Sequence, residues 1–528
     1  MGYPKHQFRS TIFRFFLCTS LVLLLSICFP TLEGFAAPPP TPSGLPPGEW
    51  DHVIITDQSL AHSFIPLANH RQAQGLRCRI LTTDYLLRWS LKINLMESIR
   101  WFVSTASEEW GTRYVMLGGD AEFIPVPLGF FESPNFSWEI PLDLYYAAPN
   151  GEWDLDGDGI LGEFGDDAPD LTPVVALGRA PVSDRMEARS FVDKVIAFES
   201  QDPAELHDVL LAAEVGSPYP WQPGMEVHID FAWLMEELVE ILDDWNSVGD
   251  FQRLYQNWEA PPYGEPLSRA SFLEALNAGR HRFFSMMIHG IAETWSMGPD
   301  YLRPEHLGAL DAMNHALFMV PGVAQATDCR QEGVLEKLLV LPRGGCAGAM
   351  GPSATFYLAP ANQFFQNFWQ GIADGTWDRV GDAFRQVMAD LFQTYPQNSP
   401  FLATLECMSI FGDPAMLLLP VQGGVNILDP KVEPVLAAHA SPNPFNPTTK
   451  IFFVLPGTSE SVLPTVVEIY DLRGRRLIRL LDADLAPGSH SIHWRGKDAA
   501  GRSVGSGLFF ARISAGDHRT VVKLILVE

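Results

Sequence analysis

The chain is 528 residues long, 47 % hydrophobic and 19 % charged, which excludes a disordered polymer and calls for two or three globular domains. Its formal charge of −27 at pH 7 excludes nucleic acid as a partner, because phosphate binding needs clustered lysine and arginine, and it suits acidic loops that hold calcium. Six cysteines in a chain of this size exclude a disulfide scaffold.

Residues 1–36 read as a signal peptide. Lys5, Arg9 and Arg14 precede an apolar run over 15–29, and Gly34 and Ala36 stand at the −3 and −1 positions of a signal-peptidase site. The run is short and Pro30 interrupts it, which favours cleavage over a retained anchor. No later stretch is long and apolar enough to span a membrane, so no transmembrane segment is expected after cleavage. Cys78, Cys329, Cys346 and Cys407 remain in the mature chain, enough for one disulfide at most if Cys329 stays free.

Residues 37–48 form a proline-rich linker, and residues 49–200 then take up an α/β rhythm. Strands are expected at 53–55, 78–81, 114–117 and 174–177, with helices at 60–74, 93–107 and 186–199. A second series fills 201–421, with strands at 209–213, 283–288, 317–324 and 344–351 and helices at 231–243, 272–277, 334–341, 361–372 and 383–392. Strands alternating with helices imply parallel sheets covered on both faces, here as doubly wound sheets in two subdomains. Residues 422–440 carry few helix or strand signals and read as a linker. The tail, 441–528, opens on Ser-Pro-Asn-Pro-Phe-Asn-Pro and continues with short alternating strands at 451–455, 466–470, 477–481, 490–494, 508–513 and 521–527, the spacing of a small all-β sandwich.

Chemistry gathers where the apolar runs end. His289-Gly290 closes the run 283–288, and Cys329 closes the run 317–328. Ligands of parallel sheets bind beyond the carboxyl ends of the strands, so two neighbouring strands would present an imidazole and a thiol at one rim, the arrangement of a cysteine nucleophile with its histidine base. The amides of Gly290 and Cys329 are candidate oxyanion donors, and the helix expected near Gly333 would lower the thiol pKa. Asp120, at a strand end in Leu-Gly-Gly-Asp, and Asp143, in Pro-Leu-Asp-Leu-Tyr-Tyr, are alternative third members that could orient His289 or line the substrate cleft. Cys346 is a rival nucleophile, but two glycines inside a core strand suit an inert thiol. Asp154, Asp156 and Asp158 alternate ahead of Gly159, a calcium-loop pattern completed by the Ile160 carbonyl and by Glu163 or Asp166. The expected twelfth-position glutamate is Gly165, so the loop departs from a full EF-hand.

Several motifs in order resemble the gingipain family of cysteine peptidases: Leu-Gly-Gly-Asp at 117–120, the acidic loop at 154–159, Leu-Gly-Arg at 177–179, His-Gly-Ile-Ala-Glu-Thr-Trp at 289–295, Asp328-Cys329, the Gly-Gly-Cys-Ala-Gly run from 344 and Phe-Gly-Asp-Pro at 411–414. The resemblance covers roughly residues 50–420 and implies a caspase-like fold, His289 as base, Cys329 as nucleophile, and protein or peptide substrates. The tail is similar to the Ig-like sorting domain, akin to the flagellar hook-capping module, of cargo for the type IX secretion machinery, which implies a secreted or cell-surface location reached through the periplasm. Two other functions are compatible with the pattern: a sortase-like transpeptidase of the same secretion system, and a catalytically silent surface-binding protein.

Overall fold

The computed structural model describes residues 49–418 and 437–527, apart from 91, 93, 133–136, 164–165, 202–207, 243–248, 312–315, 321, 442–444, 456–461, 487 and 517. The expected signal peptide, the proline-rich linker and most of the 422–440 linker lie outside the described residues.

The first half contributes four strands to the main sheet, His52–Thr56 (β1), Cys78–Thr82 (β2), Tyr114–Gly118 (β3) and Ala176–Ala180 (β4), with helices Ile65–Ala73 (α1), Thr83–Ser90 (α2), Leu95–Trp110 (α3) and Arg185–Glu199 (α4). Every residue of β1, β3 and β4 is buried, as parallel strands covered on both faces must be. Local chemistry sets the helix ends. The Asn94 side chain accepts from the Glu97 N–H to start α3, Gly111 in the left-handed region stops it, and Asp184 caps α4 by accepting from the N–H groups of Met186 and Glu187.

The second half supplies Asp208–Ala213 (β5), Phe251–Tyr255 (β6), Glu265–Pro266 (β7), His281–Met287 (β8), Ala316–Met319 (β9), Cys346–Pro352 (β10) and Met408–Phe411 (β11). Its helices are Ala232–Leu242 (α5), Arg269–Ala278 (α6), Val334–Val340 (α7), Leu358–Ala373 (α8), Val380–Thr394 (α9) and Ser399–Cys407 (α10). The strand order is β7-β6-β5-β8-β9-β10-β11-β4-β3-β1-β2, so the two expected sheets are one sheet of 11 strands. The join is β11. It runs antiparallel to β10 and pairs with β4 through Phe411 and Arg179, while the other described pairings in this sheet are parallel. A side chain on Gly178 would meet the Gly412 carbonyl at 2.5 Å, so glycine is what lets the two halves close at this seam.

A buried ion cluster locks the seam. The Arg71 guanidinium, fully buried on α1, donates from Nε to Asp413 Oδ2 at 2.8 Å and from Nη1 to Glu199 Oε2 at 2.7 Å. Asp413 also faces His52 Nε2 at 3.2 Å, and Glu199 accepts from the Leu417 N–H at 2.6 Å and faces His70 Nε2 at 2.5 Å. The residues just past β11 are thereby tied to α1, β1 and α4.

The tail folds as Ala437–Ser441 (β12), Thr449–Leu455 (β13), Leu463–Asp471 (β14), Arg476–Leu485 (β15), Gly488–Trp494 (β16), Gly507–Ala515 (β17) and His518–Leu526 (β18). These form two antiparallel sheets, β12-β13-β16 and β15-β14-β17-β18, which share a core around Phe445, Phe453, Ile469, Trp494, Phe509 and Leu524. The expected small β-sandwich is present, with β12 added from residues that read as linker. Among the described residues no helix is long and apolar enough to cross a membrane.

Burial raises the Glu199 carboxyl, but Arg71 and His70 outweigh it and hold the group down to about 2, below the ordinary 4.5. Stability from this group is therefore complete above about pH 4.5 and is lost as pH falls toward 2. The unfolding midpoint should fall steeply over that window, and Arg71→Met, which strands two buried carboxylates, should cost about 3–5 kcal/mol in chemical denaturation at neutral pH.

Candidate active site

His289 stands just past β8, at the carboxyl-end rim of the sheet where it was expected. Its orientation comes from a residue that sequence reasoning missed. Glu214, the first residue after β5 on the neighbouring strand, is buried and takes four hydrogen bonds. Oε2 accepts from the His289 N–H at 2.9 Å and faces His289 Nδ1 at 3.1 Å, while Oε1 accepts from Ser296 Oγ at 2.5 Å and the Gly298 N–H at 2.9 Å. With Nδ1 engaged, Nε2 is the nitrogen left for chemistry. Tyr219 stacks on the imidazole at 3.8 Å between centroids, and Phe231 lies 5.4 Å away. The signal for Glu214 was in the sequence: it ends the apolar run 209–213 just as His289 ends its own.

Asp120 and Asp143 do not orient His289, the first of the two roles open to them. Asp143 forms a bidentate pair with the fully buried Arg179, at 2.7 and 2.6 Å, and Arg179 also donates to the carbonyls of Gly119 and Ile124. Asp120 caps its own loop, accepting from the Glu122 N–H at 2.9 Å, and burial holds its carboxyl above the usual range.

Cys329 departs from its expected setting. β9 ends at Met319, so Cys329 lies in the turns between β9 and α7 and does not close a strand. Val320, just past the strand, still donates its N–H to the Met350 carbonyl of β10, and the chain then leaves the sheet in turns. The start of this segment is what meets the His289 strand: a side chain on Gly322 would touch Met287 and Ile288, and Val323 packs against Gly290. Its later part crosses toward the other half. The Thr327 N–H donates to the Pro352 carbonyl, Thr327 Oγ1 donates to the Gly351 carbonyl at 3.1 Å, and Arg330 clamps Asp328 and Glu139. The Cys329 thiol is buried among Arg179, Asp143, Asp328 and Glu336. Burial pushes it up to about 12 although Arg179 pulls the other way. Among the described residues no hydrogen bond joins its sulfur to His289.

Cys346 is buried in β10 and is likewise pushed up to about 12 by burial. All four cysteines of the described chain are free. Gly290 has no room for a side chain, with the Thr294 carbonyl 3.0 Å from where a Cβ would sit.

A family model for peptidase family C25 matches residues 46–419. The chain belongs to that family. Its fold is also that of gingipain R (RgpB), an Arg-specific cysteine proteinase, at a TM-score of 0.54 and 14 % identity over 91 % of this chain and 98 % of that one. A complex of the pro- and mature domains of RgpB from Porphyromonas gingivalis matches at a TM-score of 0.54 and 14 % identity, over 90 % of this chain and 100 % of that one. No curated protein matches. Family and fold together support a cysteine peptidase, on the gingipain version of the caspase-like sheet.

The acidic loop brings three of its carboxylates together. Asp154, Asp156 and Asp158 are exposed and bring one oxygen each within 4.8 Å of the others. The N–H groups of Asp158, Gly159 and Ile160 donate to Asp156, Asp154 and Asp158. Glu163 is held above its ordinary range by burial and by repulsion from Asp158, Asp156 and Asp166. Asp167, which was not singled out, latches the loop by accepting from the N–H groups of Leu155 and Glu163 at 2.6 and 2.9 Å.

Proposed function

We propose that this C25 chain is an exported cysteine endopeptidase in which His289, oriented by Glu214, is the acid–base group and Cys329 the nucleophile. The observation that carries the reading is the buried Glu214 carboxylate on His289 Nδ1, which serves a histidine whose other nitrogen handles protons. The Cys329 sulfur attacks the peptide carbonyl carbon, the C–N bond breaks as His289 protonates the leaving amine, and water releases the acid from the thioester. The amides of Gly290 and Cys329 hold the oxyanion. Burial pushes the Cys329 thiol up to about 12, so attack requires a base to take its proton, the role this reading gives to His289 Nε2.

The placement of Cys329 also favours a second reading, a catalytically silent surface protein that keeps the histidine platform without turnover. Turnover of a peptide library separates the two. On the first reading, Cys329→Ala abolishes hydrolysis, Glu214→Gln lowers kcat by about 10²-fold, and Cys346→Ala keeps most activity. An intact protein that cleaves nothing, and whose Cys329 resists a thiol-directed probe, supports the second.

The donor set of the acidic loop fits a calcium ion, because three convergent carboxylates repel one another without a cation. Asp154, Asp156 and Asp158 would hold it, with the Ile160 carbonyl and Glu163 or Asp166 completing the shell, and its contribution there is structural. Chelation should lower the melting temperature of the wild type and leave that of the Asp156→Ala/Asp158→Ala variant unchanged.

The sandwich at 437–527 serves, on this reading, as the sorting signal for type IX secretion, which places the protein at the cell surface or outside. Its self-contained core supports an independent role. Deleting it should leave the protein in the periplasm of its host, as measured by fractionation, with peptidase activity intact.

A further inference from the structure

The outward face of the larger tail sheet is cationic. Val467 and Ile469 of β14 and Ala511 and Ile513 of β17 are buried in the sandwich core, so the alternating Glu468, Tyr470, Phe510 and Arg512 belong to the opposite face. Register sets Arg479 and Arg512 on either side of Glu468, Tyr470 beside Phe510, and Phe510 beside Lys523. Glu468 is buried under its neighbours. It accepts from Arg476 Nη1 at 2.6 Å, Arg479 Nε at 3.1 Å, Arg512 Nη2 at 2.6 Å and the Tyr470 hydroxyl at 2.6 Å. Arg512 also lies over the Tyr470 ring, 4.6 Å from its centroid. One carboxylate thus holds three guanidinium groups in place, and their side chains remain 51, 45 and 45 % exposed. Asp482 offsets part of the excess charge through Arg479. Lys523 and Arg519, which pairs with Ser514, add two further exposed cations to the face.

Next to the cluster the same face becomes apolar. Asp471 ends β14 by accepting from the N–H groups of Arg473 and Arg475, both at 3.0 Å, and the turn it closes holds Leu472 out at 67 % exposure. Leu472 and Leu508 line one open depression with Arg473 and Arg475. Leu508 lies two residues from Phe510 on the outward row, and Val521, opposite Arg512, is 58 % exposed. The charge of the tail is also set apart from that of the chain. Residues 441–528 carry 11 lysines and arginines against 8 aspartates and glutamates, whereas the whole chain carries 36 against 63. An acidic protein with one cationic face meets an anionic surface through that face and is repelled elsewhere.

We propose that the outward face of β14, β15, β17 and β18 binds a bilayer that carries anionic phosphate headgroups, with the arginines on the phosphates and Leu472 at the hydrocarbon margin. The face offers both kinds of contact in one open plane. The guanidinium fork matches phosphate oxygens, and apolar side chains standing among cations match the boundary between headgroups and acyl chains. A soluble phosphate would satisfy the arginines alone and leave Leu472 and Val521 in water. The inference depends on neither the peptidase reading nor the sorting role.

The test is cosedimentation with vesicles. Protein beginning at Ala37, without the apolar run of the signal peptide, is mixed at low salt with vesicles of phosphatidylcholine alone or of phosphatidylcholine and phosphatidylglycerol in equal parts. At least about tenfold more protein should pellet with the anionic vesicles, and the difference should fade as salt rises. Arg476→Gln/Arg512→Gln should weaken binding to the anionic vesicles about tenfold. Because that pair touches the buried Glu468, a second variant, Arg473→Gln/Arg519→Gln, changes only exposed cations. It should weaken binding at least about threefold with an unaltered melting temperature. Leu472→Ser should also weaken binding while leaving the salt dependence in place, which attraction between charges alone would not produce. Equal pelleting with both kinds of vesicle, or full binding by the second variant, overturns the proposal. So does failure to pellet combined with salt-dependent capture of soluble poly-glutamate, which would assign the face to an acidic protein.

Discussion

A single guanidinium holds the two halves of this protein in one sheet. Arg71 lies in the interior between Asp413 and Glu199, and both carboxylates have further partners in His52, His70 and the backbone. Burying such charges is expensive unless every lone pair and proton is met, and this cluster meets most of them with groups from four elements. The return is positional more than energetic. Asp413 comes from the turn after β11, the strand that joins β10 to β4, so the ion cluster determines where that strand ends and how the β4 and β10 edges face each other. The rim that carries the candidate site inherits its geometry from this closure.

Along that rim, β5 delivers Glu214, β8 delivers His289 and the connection after β9 delivers Cys329. The first two meet because their strands are hydrogen-bonded neighbours in register, Ala213 opposite Met287, and each polar residue lies one or two positions past that pair. The third comes from a neighbouring strand as well, yet its segment wanders ten residues before reaching the cysteine. Over that distance it crosses β10 and comes to rest near Arg179. Strand adjacency places a residue only when the residue follows the strand closely.

This distinction also marks what was legible in the sequence. Runs such as Val209–Ala213 and Phe283–Met287 declare buried parallel strands because their apolar content is continuous, and the period-2 strands of the tail declare a sandwich. Strand β6, Phe-Gln-Arg-Leu-Tyr, has no such signature and was not foreseen, because it lies next to the edge, where β7 covers only its last two residues and its first three stay half-buried. The apolar stretch 317–324 overstates β9, since hydrophobicity reports burial and Val320 and Val323 are buried without being strand. His289 and the acidic loop were readable from local pattern. Glu214 carried the same local signal, a polar residue closing an apolar run, but its partnership with His289 exists only once two strands separated in sequence lie side by side.

The closure by β11 also determines when the fold can form during synthesis. Arg71 and Asp413 are 342 residues apart, and β4 must wait for a strand made long after its own half has emerged. Until then β4 and β10 each present an open parallel edge of apolar side chains, the kind of surface that pairs with the wrong chain. Pairings of such long range are slow to assemble, so neither half can reach its final state early and wait for the other. A polypeptide with this wiring gains from being kept extended until all of it is available, and an incomplete chain that stops short of β11 is an aggregation hazard.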